Sequence, residues 1–320
     1  MTTTPGRADI ETAAARIAGH IRRTPVLDLL HGVGDSPGKV SFKLDLLQPT
    51  GSFKVRGAFS RLLAADPAPS RVVAASGGNF GLAVAYAAAE MGIGADIFVP
   101  QSSPPAKIER LRLHGALVHV VAGHYAEALE ASEAWIEDND ALSAHAYDQL
   151  DVVAGQGTCG MEMAAQVPGA DSVLVAVGGG GLIGGIASWY RGEARVIGVE
   201  TEGTPTLYSA RRAGKPVDVE VGGLAVSSLG SRRVGDIAWE VSNRWIDDSI
   251  LVSDEATAAA QRWLWDNCRL AVEPGAATPV AALLSGAYVP GPTEHVAVLV
   301  CGANVDLGTL AGQERVASTQ

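Results

Sequence analysis

Lys54 and two clusters of glycine mark the places where this sequence could do chemistry. Lys54 lies in the stretch Pro49-Thr50-Gly51-Ser52-Phe53-Lys54-Val55-Arg56-Gly57-Ala58. Most lysines are solvated surface charges. This one has Phe53 and Val55 as neighbours and Arg56 just beyond. A lysine partly desolvated beside another cation has a lowered pKa, and its amine can then act as nucleophile and base. The second place is the run Val177-Gly178-Gly179-Gly180-Gly181-Leu182-Ile183-Gly184-Gly185, and the third is Ser76-Gly77-Gly78-Asn79. A glycine run that opens a helix offers unobstructed backbone N–H groups and a favourable dipole to an anion. A tight strand-to-helix crossover is the plainer use of such a turn, but four consecutive glycines favour the anion site. A P-loop is excluded, because Leu182 and Ile183 stand where Lys and Ser/Thr are needed. Gly179, Gly181 and Gly184 match G-x-G-x-x-G, and Glu200 lies at the distance of a ribose-binding acid. A dinucleotide turn therefore stays open, although any stretch this rich in glycine meets that pattern by chance.

Short apolar runs alternate with helical segments and carry these residues. Val40–Leu44 precedes the lysine segment, where Ser52 could cap a helix. Val72–Ala75 leads to a helix from Asn79 to Met91 that Gly92 stops. Ala95–Val99 precedes a helix starting at Pro104–Pro105, and Leu117–Val121 precedes one at 125–136. Val173–Val177 leads into a helix from Gly181 to Tyr190, and Val196–Glu200 into one near Thr206–Ala213. Ile250–Val252 precedes a helix from Asp254, and His295–Cys301 is the last strong strand. An amphipathic helix is expected over 9–22, capped by Asp9, and a long ordered loop over 214–235. Only 1–8 and 311–320 look loose. Strands that are apolar throughout and separated by helices imply parallel sheets covered on both faces, an α/β fold.

The composition narrows the classes. Glycine accounts for 38 of 320 residues, against a usual share of roughly 7%, without any G-X-Y period. The net charge of −11 argues against nucleic-acid and anionic-membrane partners. Cys159, Cys268 and Cys301 are too scattered for a disulfide framework or a zinc site, so a reducing, cytoplasmic setting is expected. The seven histidines show no metal spacing and read mostly as surface or helix-end residues. There is no signal core and no run of about 18 apolar residues.

Taken together, the motifs resemble a known family. Gly51–Ala58 resembles the lysine motif of fold-type II pyridoxal-phosphate enzymes, closest to the threonine/serine dehydratases. Ser76-Gly77-Gly78-Asn79, Gly178–Gly181, Glu273-Pro274-Gly275-Ala276 and Cys301-Gly302-Ala303-Asn304 resemble further landmarks in the same order. The resemblance covers about residues 20–305. It implies a two-domain, tryptophan synthase β-like fold, with 70–146 inserted as a smaller domain into a larger one made of 1–69 plus 147–320. It also implies a homodimer and a small amino-acid substrate.

The resemblance assigns roles. Lys54 would carry pyridoxal 5'-phosphate and later take the Cα proton. Phe53 would pack beside the cofactor ring, and Asn79 would bond its phenolic oxygen. Ser76, Gly77 and Gly78 would hold the substrate carboxylate together with Asn79. Gly178, Gly179, Gly180, Gly181 and Leu182 would hold the phosphate, and Glu273 would lie near the cofactor. Cys301 would face the pyridine nitrogen, where a weakly donating thiol leaves the ring neutral and favours elimination over reprotonation. The implied reaction turns L-threonine or L-serine into a 2-oxo acid and ammonia.

There are departures from the family pattern. Gly77 stands where racemising relatives carry a second serine, so little racemase activity is expected. Phe80 replaces a common His, which leaves substrate preference open. A structural cation would use Glu200 and the Thr204 carbonyl, but Thr206 stands where some relatives have Asp. A surface glutamate is the favoured reading of Glu200. The sequence stops soon after the last landmark, so feedback control through an added regulatory domain is not expected. The rival readings are sibling chemistry on the same scaffold (racemase, β-replacement or 3-hydroxyaspartate dehydratase), an NAD(P)-dependent oxidoreductase, and a non-catalytic cofactor-binding or interaction protein.

Overall fold

The computed structural model describes residues 3–29, 32–34 and 36–308; the tail 311–320 lies outside them. The strands in chain order are β1 (Val26–Leu29), β2 (Lys39–Lys43), β3 (Arg71–Ala75), β4 (Gly94–Pro100) and β5 (Leu117–Val121). They continue with β6 (Leu142–Ser143), β7 (Ser172–Ala176), β8 (Arg195–Thr201), β9 (Asp248–Val252) and β10 (His295–Leu299). The helices begin with α1 (Arg7–Ile17), α2 (Lys54–Ala64), α3 (Asn79–Met91), α4 (Pro105–Leu113), α5 (Tyr125–Asn139) and α6 (Leu150–Gln166). They end with α7 (Gly181–Tyr190), α8 (Thr206–Ala213), the short α9 (Val226–Leu229), α10 (Asp236–Trp245), α11 (Asp254–Cys268) and α12 (Pro274–Leu284).

The strands form two sheets. One has the order β1-β2-β10-β7-β8-β9 and the other the order β5-β4-β3-β6. All pairings are parallel except β1 with β2, which is antiparallel. The sheets are thus mostly parallel, as expected, with one antiparallel edge where Val26 pairs with Lys43 and Leu29 with Val40. The central strand β7 is buried at all five positions, as a strand with helices on both faces must be. Apolar side chains from its neighbours and from α7 and α12 complete one core, and β3, β4, α2 and α3 build another.

Several local expectations shift. The first helix starts at Arg7 rather than at residue 9 and ends at Ile17, so 7 and 8 are not loose. Asp9 reaches back to its start, where its carboxylate accepts from the Gly6 N–H at 2.7 Å. Ser52 does not cap α2: its hydroxyl is buried without a hydrogen-bond partner among the described residues. The segment 214–235 is irregular apart from α9.

Glycine serves the helices as well as the turns. Gly184 and Gly185, read from sequence as anion-binding backbone, lie inside α7. A Cβ on Gly185 would overlap the Val153 carbonyl and the Gly157 nitrogen of α6. One on Gly155 would stand 2.7 Å from the Arg56 carbonyl of α2. Backbones approach this closely only where side chains are absent.

Candidate active site

Lys54 is the first residue of α2 and is half-buried. Its Nζ donates to the Ala146 carbonyl at 2.8 Å and lies 5.1 Å from the Phe53 ring centroid and 5.6 Å from that of Phe80. A little of the side chain is exposed, yet protein surrounds the amine closely. Burial pushes its pKa down to about 8, against an opposing pull from Cys301 and Glu273. The expected cause is therefore half right: desolvation acts, but Arg56 does not. Arg56 points to the far side of α2, where it is 0% exposed. There it forms a fork of two 2.8 Å bonds to Asp45 and also bonds Glu162 at 2.9 Å. Its charge is neutralised in that cluster, together with Lys43, which bonds Glu162 at 2.6 Å.

The loop Ser76–Asn79 links β3 to α3. Its geometry comes from strand termination followed by a helix start, with Gly78 as the N-cap residue. Gly77, Gly78 and Asn79 line a cavity of about 300 Å3 with Lys107, Arg110 and Glu273, and Leu82, Leu111 and Leu224 add apolar wall. Asn79 donates both amide hydrogens to the Glu273 carboxylate, at 2.7 and 2.9 Å, and its carbonyl accepts from Asn304 at 2.8 Å. Glu273 is buried at the start of α12, and burial raises its pKa to about 7 despite the Asn79 bonds. The Cys301 thiol is buried, and burial raises its pKa well above the usual range. Ser76 lies beneath the loop, with its hydroxyl 3.4 Å from the Gly78 N–H.

Gly178–Gly180 follow β7, and Gly181 starts α7 with the buried Leu182 in its first turn. Gly180 has φ +88°, a conformation that glycine adopts without strain. The Gly178 carbonyl accepts from Thr206, that of Gly179 from the Gly235 N–H, and that of Gly180 from the Gly184 N–H. The first N–H groups of α7 have no partner inside the helix and are the donors left at this turn.

The sequence reading passed over the segment His145–Asp148. Ala146 supplies the carbonyl that holds Lys54. The Tyr147 ring lies against Gly179, so that a Cβ there would fall within the ring. Burial pushes the His145 pKa down, and its Nδ1 accepts from the Asp148 N–H at 3.0 Å. Asp148 caps α10 by accepting from the Asp236 and Ile237 N–H groups, both at 3.0 Å. The two-residue β6 leads into this segment and leaves no periodic signal; only the Asp148 cap could have flagged it.

Glu200 is not a surface residue: it ends up 0% exposed near the end of β8. Four donors occupy its carboxylate, so it is not free to bind a ribose, and the dinucleotide reading loses its acid. The same four donors surround the carboxylate that a structural cation would use. The Thr204 carbonyl accepts from the Thr206 N–H at 3.1 Å. Among the described residues, no group of three or more His, Cys, Asp or Glu side chains is placed to hold a metal ion.

The chain is similar to known proteins along most of its length. The phenylserine dehydratase of Ralstonia pickettii is 35% identical over 97% of this chain and 96% of its own length. The L-threonine ammonia-lyase of Thermotoga maritima is 34% identical over 85% of this chain and 69% of its own. The structure of maize serine racemase superposes with a TM-score of 0.89 at 31% identity, covering 97% of both chains. Residues 17–302 match the family described as pyridoxal-phosphate dependent enzyme. The chain belongs to that family.

Proposed function

We propose that this protein is a pyridoxal-phosphate dependent ammonia-lyase that dehydrates a 3-hydroxy amino acid to a 2-oxo acid and ammonia. The observation that carries the reading is Lys54, a desolvated amine 5.1 Å from the Phe53 ring and 5.6 Å from the ring of Phe80, which directly follows the Ser76–Asn79 loop. The fit to the cofactor is good on this chain's own residues. A desolvated amine, two flanking rings, an asparagine amide and a glycine turn at a helix start suit an aromatic aldehyde that bears a phosphate. Pyridoxal phosphate, when bound, supplies the carbonyl that captures the amino group and the ring that draws electrons from Cα.

The chain's residues do the rest. Lys54 would hold the cofactor, and its amine, when free, would take the Cα proton. The N–H groups of Gly77 and Gly78, with Ser76, hold the substrate carboxylate. Asn79, positioned by Glu273 and Asn304, would orient the ring oxygen by turning one of its two amide hydrogens from the Glu273 carboxylate to that oxygen. The N–H groups of Gly178–Gly181 and Leu182 hold the phosphate. Cys301, a thiol whose acidity burial weakens further, gives up no proton at the ring-nitrogen position it is assigned by resemblance. Loss of the Cα proton and the β-hydroxyl removes water. The released enamine tautomerises and hydrolyses to the 2-oxo acid and ammonia. In this reading 70–146 is a smaller domain inserted into 1–69 plus 147–320, with the reacting atoms between them.

Racemisation is the second reading, favoured by the likeness to maize serine racemase. Gly77 counts against it, because it offers no acid or base on the face opposite Lys54. The test is 2-oxo acid release and D-isomer formation across L-threonine, L-serine, 3-hydroxyaspartate and phenylserine, with borohydride trapping of the cofactor. We expect 2-oxo acid release, label on Lys54 and a rate lowered roughly 10²–10⁴-fold in Lys54→Ala. Formation of D-serine without 2-oxo acid, or label elsewhere, would overturn the proposal.

A further inference from the structure

We infer that Glu200 and Thr206 anchor the Gly178 turn through hydrogen bonds alone, and that no divalent cation binds there. A carboxylate has about four lone-pair positions. On Glu200 all four are taken. Oε1 accepts from the Leu207 N–H at 2.8 Å and the Thr206 hydroxyl at 3.0 Å. Oε2 accepts from the Tyr208 N–H at 2.7 Å and the Ser249 hydroxyl at 2.7 Å. The two N–H donors lie in the first turn of α8, where the helix dipole also favours an anion. A cation at this carboxylate would have to displace buried donors and leave them unpaired. The Thr204 carbonyl is turned to Thr206 rather than outward.

Thr206 also reaches the glycine turn. Its hydroxyl lies 2.5 Å from the Gly178 carbonyl oxygen and shares its single proton between that oxygen and Glu200. The path from Ser249 on β9 through Glu200 and Thr206 to Gly178 thus ties the edge of the large sheet to the turn that precedes α7. Carbonyl and N–H groups of one turn share peptide planes, so fixing the Gly178 carbonyl also fixes the direction of the Gly179 N–H. Here a threonine hydroxyl does it, with no added positive charge. Glu200 and Thr206 are positioning residues; the inference that they serve a phosphate rests on the function proposed above.

The experiment has two arms. In the first, wild-type protein is stripped with a chelator, and its melting temperature is measured with and without millimolar Mg2+ or Ca2+, both with and without pyridoxal phosphate. We expect no shift from either cation. A cation bound far above its dissociation constant would raise the melting temperature by several degrees, and such a rise would overturn the inference. In the second arm, pyridoxal phosphate is titrated into cofactor-free wild type, Thr206→Val and Thr206→Ser. We expect roughly tenfold weaker affinity in the valine variant, the value of one buried hydrogen bond, and near wild-type affinity in the serine variant. Equal affinity in all three would overturn the anchoring role and leave the proposed function standing. If wild type fails to take pyridoxal phosphate on Lys54, the proposed function fails, while the first arm still tests the claim about the cation.

Discussion

At the scale of single residues, the site holds two groups whose burial works against their charge. Glu273 has its pKa raised from 4.5 to about 7, and Lys54 has its pKa lowered from 10.5 to about 8. Each shift makes stability depend on pH. For Glu273, between 4.5 and 7 the folded chain keeps a proton that the unfolded chain has lost, so stability falls as pH rises through that window. For Lys54, between 8 and 10.5 the folded chain has already lost a proton that the unfolded chain keeps, so stability rises with pH there. Glu273→Gln removes the first dependence while keeping an acceptor for Asn79. We predict that cofactor-free Glu273→Gln gains on wild type as pH rises from 4.5 to 7, by at most about 3 kcal/mol. Urea midpoints measured across that range check it, and parallel curves for the two proteins would refute the assignment. Arg56, by contrast, takes no part in this titration, since its N–H groups are spent on Asp45, Glu162 and Thr158.

At the scale of elements, the glycine content is explained as much by helix crossings as by ligand turns. Helices α2, α6 and α7 meet through Gly57 and Gly155 and then through Gly157 and Gly185, where each added Cβ would strike the facing backbone or a neighbouring side chain. We predict that Gly185→Ala, a change that ordinarily favours a helix, lowers the melting temperature by roughly 3–10 °C because the helices must separate. Gly222→Ala, where an added Cβ meets open space, should leave it unchanged. Equal melting of Gly185→Ala and wild type would refute the close-contact argument. This crossing also shows where sequence reading stops. Strands such as β7 and β8 were legible because burial on both faces makes them apolar throughout. Helix α6 was not, because Gly155, Gly157 and Gly160 lower its helix propensity and make sense only beside their partners. β6 is defined by its pairing with β3 and has no pattern of its own. The site divided in the same way. Lys54, Asn79 and the glycine turns showed in residue type and order, whereas the Ala146 contact uses a backbone carbonyl and leaves no side-chain signature. Glu200 was misplaced because its cage includes Ser249, far along the chain.

At the scale of the whole molecule, the question is what holds the two sheets in one relation across the cleft. One chain of hydrogen bonds crosses it beside the cavity. Arg110 on α4 donates to the Asn304 side-chain carbonyl at 2.6 Å, and Asn304 donates to the Asn79 carbonyl at 2.8 Å and to the Thr50 carbonyl at 3.0 Å. Asn79 then donates to Glu273. Arg110 and Asn79 belong to helices packed on the smaller sheet, while Asn304 and Glu273 flank the last strand and α12 of the larger one. The crossing therefore runs through the residue proposed to orient the cofactor ring, so the bonds that span the cleft are also the bonds that set Asn79. Asn304 bonds both sides, whereas Arg110 is solvent-exposed and its bond is weakened by competing water. We predict that Asn304→Ala lowers kcat/KM for the preferred 3-hydroxy amino acid roughly tenfold, the value of one to two hydrogen bonds. Arg110→Met should cost only a few-fold. Melting temperatures measured alongside separate a local effect from general destabilisation. If Asn304→Ala keeps wild-type kcat/KM, the bond chain merely lies across the cleft, and the geometry of Asn79 is set by Glu273 alone.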